Sequence, residues 1–324
     1  MTTIPIFFTF DHHFVLAAGV AFHTLLEKAD ARYHYNLYVV HTDLKLHHMK
    51  RLQHVVGRFP NAEVAFIDAS EYDTGWAGLR HKSHFSEEIF YKLTAADLFP
   101  QYDRILFSDV DVIFTDDIAP AYFLFPDEKF YYAGTRPIQE NNNLPRYRAH
   151  FTPEEIQTIS QYEISAGFML INLKLLRADY RQPQLTEFFR RNVDRLILPE
   201  QDCIALCLAP DIRFLDYKYV VCAAQYFNDP DQLRYNPNNP LLADRHAAAA
   251  CYRKMLREVV QLHYPGADKP WNHPLTPRFD LWIRACRRAG LMGYYLQCQP
   301  QFLLQRLKRY NLRRFIRKHT GHAQ

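Results

Sequence analysis

Short apolar segments alternate with helical segments through the first third of the chain. The expected helices are Phe14–Ala29, Leu46–Val56 and Glu87–Phe99, and the expected strands are Ile4–Phe10, Tyr35–Val40, Glu63–Ile67 and Arg104–Phe107. Strands that alternate with helices form βαβ units, which build a mostly parallel sheet flanked by helices. The sequence therefore predicts an α/β fold, in which ligands bind beyond the carboxyl ends of the strands.

The segment 136–163 interrupts this alternation. It is rich in asparagine and proline, with a short helical signal at Pro153–Gln161. Long loops inside compact domains are often functional, so we expect a lid over the site here. Further along, the pattern predicts a strand at Gly167–Leu173, a helix at Gln201–Leu208 and a basic helical region from Phe279 onward.

The most informative motif is the end of the fourth strand, where Asp109 and Asp111 follow an apolar run. Residues i and i+2 of an extended chain point the same way, so both carboxylates face one point. Convergent carboxylates suit a hard divalent cation, Mn²⁺ or Mg²⁺, which would bridge the oxygens of a diphosphate. Two acids at this spacing also occur by chance in solvated loops, so the motif needs support from elsewhere.

That support comes from a second motif far downstream, at 263–271. It combines an imidazole (His263), a glycine that lets backbone approach a phosphate (Gly266) and a lysine that neutralises charge (Lys269). A Pro-Gly turn alone is unremarkable. The two motifs together favour a cation and diphosphate site.

Charge is distributed unevenly along the chain. Residues 278–324 hold 11 Lys/Arg and one acid, a net +10, whereas residues 1–277 hold 28 Lys/Arg and 34 Asp/Glu, a net −6. This asymmetry predicts a catalytic domain over 1–277 and a basic helical extension over 278–324. The segment Phe302–Tyr310 suits binding to an anionic membrane surface. The alternative is a solvated helix packed on the domain, and no nucleic-acid motif accompanies the charge.

Cysteine spacing and hydropathy bear on the compartment. The six cysteines form no Cys-x-x-Cys pair, which favours free thiols in a reducing environment. The apolar run at the N-terminus is too short for a signal peptide, and no other stretch is long enough to span a bilayer. We therefore expect a cytoplasmic protein, with peripheral binding to the inner face of the cell membrane through the basic extension as a further option.

Six segments, in order along the chain, resemble the retaining glycosyltransferases of family 8, which include bacterial lipopolysaccharide galactosyl- and glucosyltransferases and glycogenin. The segments are 8–14, 90–93, 104–111, 165–173, 199–202 and 263–271. The resemblance spans roughly Ile4 to Trp271. It implies a GT-A type, Rossmann-like fold. It also implies Mn²⁺-dependent transfer of glucose or galactose from a UDP-sugar to a surface glycan, lipopolysaccharide or lipid-linked acceptor.

The resemblance implies roles for individual residues as well. The implied metal ligands are Asp109, Asp111 and His263. The implied donor-binding residues are Thr9, Asp11, His13 and Phe14 at the uridine, Lys92, Val110, Gly266 and Lys269 beside the diphosphate, and Ser165 and Ala166 at the sugar. The implied catalytic residues are Glu200, Gln201 and Asp202, with Gln201 nearest the reacting carbon.

The residue at position 201 bears on how the anomeric configuration is retained. A double displacement needs a carboxylate nucleophile, and the amide of Gln201 is a poor one. We therefore expect same-face transfer, in which the acceptor hydroxyl attacks from the side that the diphosphate leaves. Glu200 and Asp202 remain candidates for orienting groups. The family usually has Asn where Ser165 and Ala205 stand, so the donor sugar stays open.

Two other interpretations compete with a glycosyltransferase. Phosphatases of the haloacid-dehalogenase type also carry two aspartates at a strand end. Their motif usually sits near the chain start, however, and it would leave the 263–271 segment unused. A non-catalytic binder of sugar nucleotides is the second alternative, against which the complete metal set and Gln201 argue.

Overall fold

The structure is a computed structural model that describes residues 1–70, 87–141 and 143–309. The strands in these residues are β1 (Thr2–Thr9), β2 (Tyr33–His41), β3 (Ala62–Asp68), β4 (Ile105–Ser108), β5 (Val112–Phe114), β6 (Tyr132–Thr135), β7 (Phe168–Ile171), β8 (Ile212–Leu215), β9 (Val221–Cys222) and β10 (Gln261–His263). Seven of them form one sheet in the order β3-β2-β1-β4-β7-β6-β8. Within that sheet β7 runs antiparallel to both neighbours, and the other pairings are parallel. The predicted α/β class is confirmed.

Helices cover both faces of this sheet. In the described residues they are α1 (Val15–Lys28), α2 (Leu46–Val56), α3 (Ala95–Leu98), α4 (Ala119–Tyr122), α5 (Leu144–His150), α6 (Pro153–Tyr162), α7 (Leu173–Ala178), α8 (Arg181–Asn192), α9 (Pro199–Leu208), α10 (Arg245–Arg257), α11 (Phe279–Arg288) and α12 (Met292–Arg309). The residues of strand β1 show why helices are needed on both faces of the sheet. Ile6 and Phe8 belong to the core under α1 and α2, whereas Phe7 belongs to the core under α3, α7 and α9. A strand that is buried on both faces has a continuous apolar sequence.

The helix expected over Glu87–Phe99 is divided in the structure. A 3₁₀ helix covers Glu87–Lys92 and is followed by the short helix α3. The amides of Leu93 and Thr94 donate to carbonyls three residues earlier, 2.8 and 3.3 Å away, which tightens the chain at this point. The break leaves Lys92 at the end of the 3₁₀ helix with a fully buried side chain.

A second, smaller sheet links distant parts of the chain. Its order is β5-β10-β9, with β10 antiparallel to β5 and parallel to β9. In this register His263 faces Val112, the residue that directly follows Asp111. The small sheet therefore carries the downstream motif to the end of β4.

The segment 136–163 is less irregular than expected. Helices α5 and α6 lie in it, and Asn142 lies outside the described residues. The predicted helix at Pro153–Gln161 is present as α6. It begins with a capping box in which Thr152 and Glu155 bond each other's backbone amides.

The basic region beyond residue 277 begins inside the core. Trp282 of α11 is fully buried and its ring lies 5.9 Å from that of Trp271. The boundary at 277/278 stays a prediction, as does membrane binding through Phe302–Tyr310, whose last residue lies outside the described part. Within the described residues no helix has both the length and the apolar character to cross a membrane. All six cysteines are free thiols, as expected.

Candidate functional site

The carboxyl end of β4 and the end of β10 bring three potential metal ligands together. One ligand atom from each of Asp109, Asp111 and His263 lies within 4.8 Å of the others. The imidazole Nε2 lies 3.1 Å from Asp111 Oδ1 and 3.7 Å from Asp109 Oδ2, between the two carboxylates. Two carboxylates and one imidazole fit a divalent cation such as Mn²⁺ by ligand chemistry.

Two lysines offset the negative charge of the aspartates in this cluster. Lys269 Nζ contacts Asp111 Oδ2 and donates to the Tyr264 carbonyl at 2.7 Å. Burial alone raises the pKa of Asp111, but the charges of His263 and Lys269 outweigh it, and the net pKa shift is downward. The carboxylate of Asp111 is therefore ionised at neutral pH.

The second lysine, Lys92, connects the aspartates to α9. Its ammonium donates to Asp109 Oδ1 at 3.1 Å, to the Ala166 carbonyl at 3.4 Å and to Glu200 Oε1 at 3.5 Å. Burial lowers the pKa of Lys92, whereas Asp109 and Glu200 raise it, and the net shift is upward. A buried cation shared by two carboxylates fixes the relative positions of β4, β7 and α9.

Close backbone packing holds these ligands in place. A Cβ atom added to Gly167 would lie 3.1 Å from His263 Nδ1 and 3.6 Å from Asp109 Oδ2, so the missing side chain makes room for both ligands. The Gly167 carbonyl accepts from the Asp109 amide at 3.1 Å and from Gln261 Nε2, also at 3.1 Å. The side-chain amide of Gln261 also donates to Ser108 Oγ at 2.7 Å, which ties β10 to the end of β4.

The four residues expected at the uridine lie at the end of strand β1 and directly after it. The register pairs Phe7 with Phe107, so Thr9 and Asp109 both come two residues after a matched pair. Asp11 caps the short 3₁₀ helix His12–Phe14 and accepts from the His13 amide at 2.9 Å. The Phe14 ring is half-buried and meets Trp271 edge-on at 5.8 Å.

The three residues expected to be catalytic have different environments. Glu200 is buried and faces Lys92, whereas Gln201 is partly exposed on the first turn of α9. Asp202 is fully buried. It accepts from Tyr147 Oη at 2.6 Å, and its other oxygen accepts from the amides of residues 197 and 198 at 2.7 and 2.9 Å. Both oxygens of Asp202 are thus used in holding the start of α9.

Asp202 belongs to a buried acidic pair. Burial raises the pKa of Asp202 to about 6, and burial together with the charge of Asp202 raises the pKa of Glu163 to about 7. Glu163 accepts from Asn141 Nδ2 at 3.0 Å. Helices α5, α6 and α9 therefore meet around two carboxyl groups that hold protons more strongly than usual.

The remaining expected donor residues are spread around the cluster. Val110 is buried between the two aspartates, and Ala166 is buried next to Lys92. Ser165 is partly exposed, and its Oγ accepts from the Gly167 amide at 3.4 Å. Gly266 is exposed with a positive φ of 84°, which favours glycine.

Sequence reasoning did not single out Tyr147, Glu163 or Gln261. A polar residue inside the apolar run 259–262 was a signal for Gln261. No local pattern marked Tyr147, because its partner Asp202 is 55 residues away.

Comparisons with known proteins found a curated relative of this chain. A lipopolysaccharide glucosyltransferase, WaaO of Escherichia coli K12, is 24% identical over 193 residues. The match covers 58% of this chain and 50% of that protein, so the chain spans about half the length of the curated relative it matches.

Solved structures share the fold at low sequence identity. The bifunctional glycosyltransferase WbbM superposes with a TM-score of 0.73 at 17% identity, over 92% of this chain and 52% of that one. The galactosyltransferase LgtC, solved with donor and acceptor sugar analogues, gives a TM-score of 0.63 at 18% identity, over 89% and 95% of the two chains. The fold is therefore of the GT-A type, as expected.

The family model for glycosyl transferase family 8 matches residues 5–274, which include β1, both aspartates, α9 and the segment 263–271. This match favours a glycosyltransferase over a phosphatase that carries a similar pair of aspartates. The chain belongs to glycosyl transferase family 8.

Proposed function

We propose that this protein is a retaining hexosyltransferase. It transfers glucose or galactose from a UDP-sugar to a lipopolysaccharide or other surface-glycan acceptor, and it depends on Mn²⁺. The observation that carries the proposal is the convergence of Asp109, Asp111 and His263 at the carboxyl end of β4. Two lysines and the start of α9 flank these ligands.

The proposed cofactor is Mn²⁺, with Mg²⁺ as the alternative. Asp109, Asp111 and His263 would hold the ion, and the imidazole favours Mn²⁺ because Mg²⁺ prefers oxygen ligands. When bound, such an ion neutralises negative charge on the diphosphate.

Residues of the chain would stabilise the leaving diphosphate from two sides. Lys269 lies next to Asp111 and is positioned to donate to a phosphate oxygen. Gly266 would let the backbone of the 263–271 segment approach the same group. Ionised Asp111 repels a diphosphate, so the nearby positive charges make binding of the donor favourable.

The sugar would lie between the start of β7 and the start of α9. Ser165, Ala166 and Glu200 are the proposed contacts, with Gln201 beside the anomeric carbon. An amide stabilises a developing positive charge through its carbonyl dipole without attacking, which is consistent with same-face transfer. The contacts of Asp202 with Tyr147 and with the backbone just before α9 support a positioning role for this residue.

The names of the relatives support the proposed substrates. The curated relative is a lipopolysaccharide glucosyltransferase, and LgtC is a galactosyltransferase. A hexose donor suits both names, and a lipopolysaccharide acceptor suits the first. We further propose that the basic C-terminal extension binds an anionic membrane surface through the segment that begins at Phe302, where a lipid-linked acceptor would be met. Co-sedimentation with anionic and neutral vesicles, with and without residues 302–324, tests that binding.

The decisive experiment is a panel of nucleotide sugars assayed with Mn²⁺ for release of nucleoside diphosphate, with and without a truncated lipopolysaccharide acceptor. The expected result is acceptor-dependent release from UDP-glucose or UDP-galactose, with the anomeric configuration of the sugar retained in the product. Donor binding without turnover on any acceptor would instead favour a non-catalytic binder. Inversion at the anomeric carbon would contradict the proposed reaction.

A further inference from the structure

A second charged site lies between α2 and α11, and its lining includes none of the residues proposed to bind the donor. A cleft of about 540 Å³ is lined by His47, Lys50, Arg51 and His54 of α2, by Arg58 and by Arg288 at the end of α11. We call it the basic cleft. Its described lining contains no acidic residue, and none of its residues contributes to the metal cluster.

The basic side chains of α2 lie on one stripe. Positions 47, 50, 51 and 54 are spaced three and four residues apart, so they project from the same face of the helix. Helix α2 contains no Asp or Glu that could pair with them. The fixed positive charges of the stripe are Lys50 and Arg51. Both would attract an anion bound in the cleft.

Three arginines of the basic cleft are already held in place. Arg58 donates through both terminal nitrogens to the Arg288 carbonyl at 3.2 Å, and Arg288 bonds Glu27 at 2.8 and 2.9 Å. The Arg51 guanidinium lies 3.7 Å above the Tyr294 ring. Its Nε is buried and has no hydrogen-bond partner among the described residues. Ordered cations lose little conformational freedom when a ligand binds.

We propose that the basic cleft is a binding site for a phosphate group. Guanidinium forks match phosphate oxygens in geometry, and several cations around one small volume suit a group with more than one charged oxygen. The N-terminus of α12 adds to this field, because Leu291 lines the cleft and the 18-residue helix begins at the next residue. The phosphate belongs either to a soluble phosphorylated ligand or to a lipid headgroup.

The test compares two double variants of the full chain. Lys50→Gln with Arg58→Gln removes two exposed charges of the basic cleft, and Lys174→Gln with Arg191→Gln removes two exposed charges on α7 and α8. One arm titrates inorganic phosphate by calorimetry. The other measures co-sedimentation with phosphatidylglycerol–phosphatidylcholine vesicles against pure phosphatidylcholine vesicles. Turnover of the soluble substrates should be equal in both variants, because neither changes the donor site.

We expect the cleft variant to bind at least one probe about tenfold or more weakly than the parent and the control variant. Loss confined to inorganic phosphate identifies a soluble phosphorylated ligand, and loss of vesicle binding identifies a lipid headgroup. The proposal is overturned if the two variants bind both probes equally, or if the parent binds neither. The outcome is independent of the proposed transferase reaction, since it is read without donor or acceptor.

Discussion

At the scale of single residues, Asp111 of the donor site contacts both His263 and Lys269. We expect Asp111→Asn to reduce turnover at least about a hundredfold, the scale of losing a main electrostatic stabiliser. Chelation should abolish the activity of the parent, and Mn²⁺ should restore it. Asp116→Asn, at an exposed position after β5, is the control and should change turnover little. Full activity of the parent in chelator would contradict metal dependence.

Substitution of Gln201 distinguishes a role in donor binding from a role in the chemical step. If its amide stabilises the transition state without attacking, Gln201→Ala lowers kcat and leaves donor binding nearly unchanged. Calorimetry with the donor and steady-state kinetics measure the two quantities. A covalent sugar trapped on Glu200 or Asp202 of the parent would rule out same-face transfer.

Substitution of Gly167 tests how tightly the proposed metal ligands are packed. A methyl group at this position would push against His263, so Gly167→Ala should weaken Mn²⁺ affinity about 10- to 100-fold, as loss of ligand support does elsewhere. Gly293→Ala is the matched control, because nothing lies within 4 Å of its added Cβ. Mn²⁺ titration of activity compares the two variants. Equal Mn²⁺ affinities would show that His263 can shift freely.

At the scale of elements, the junction of α6 and α9 carries a prediction about pH. The folded chain raises the pKa of Glu163 from 4.5 to about 7, so it retains a proton that the unfolded chain releases. Stability contributed by this proton is present below about pH 4.5 and is lost as pH rises toward about 7. The loss amounts to about 3 kcal/mol at most for one group.

Glu163→Gln should remove most of this loss of unfolding free energy with rising pH. The variant should therefore gain stability relative to the parent between about pH 5 and about pH 8. Urea unfolding across that range gives the free energies. The control is Glu154→Gln, an exposed acid on the same helix, which should leave the slope unchanged. Parallel curves for Glu163→Gln and the parent would show that the carboxyl ionises normally.

The elements also show what the sequence could and could not predict. Helix α2 was predicted with its observed bounds, because its apolar spacing and the turn at Gly57 are local signals. The motif of Asp109 and Asp111 at the end of a strand was also predicted from a local signal. The bonds of Tyr147 to Asp202 and of Gln261 to Ser108 join residues 55 and 153 positions apart, and no local pattern encodes such partners. The short strands β5 and β9 both pair with β10, which lies far from β5 in sequence, so local patterns did not predict this sheet.

At the scale of the molecule, substitution of Trp282 tests whether the catalytic domain ends at residue 277. Its ring is fully buried against Trp271 and Tyr295, so Trp282→Ala should lower the unfolding free energy by about 3–5 kcal/mol. Denaturant unfolding measures the loss, and Phe123→Ala, at an aromatic residue that is 43% exposed, is the control. A loss below about 1 kcal/mol, typical of surface positions, would support a separate extension beginning at 278.

The pairing of β5 with β10 has a consequence for the order of events during synthesis. Asp111 is translated long before His263, yet the two become neighbours only when β10 adds to β5 in register. Contacts this distant in sequence form late, since the intervening chain must already be ordered. A nascent chain shorter than about residue 263 would therefore carry the aspartates without their imidazole. Tight metal binding would then appear only after residue 263 has been synthesised, so a shorter polypeptide would not capture the ion.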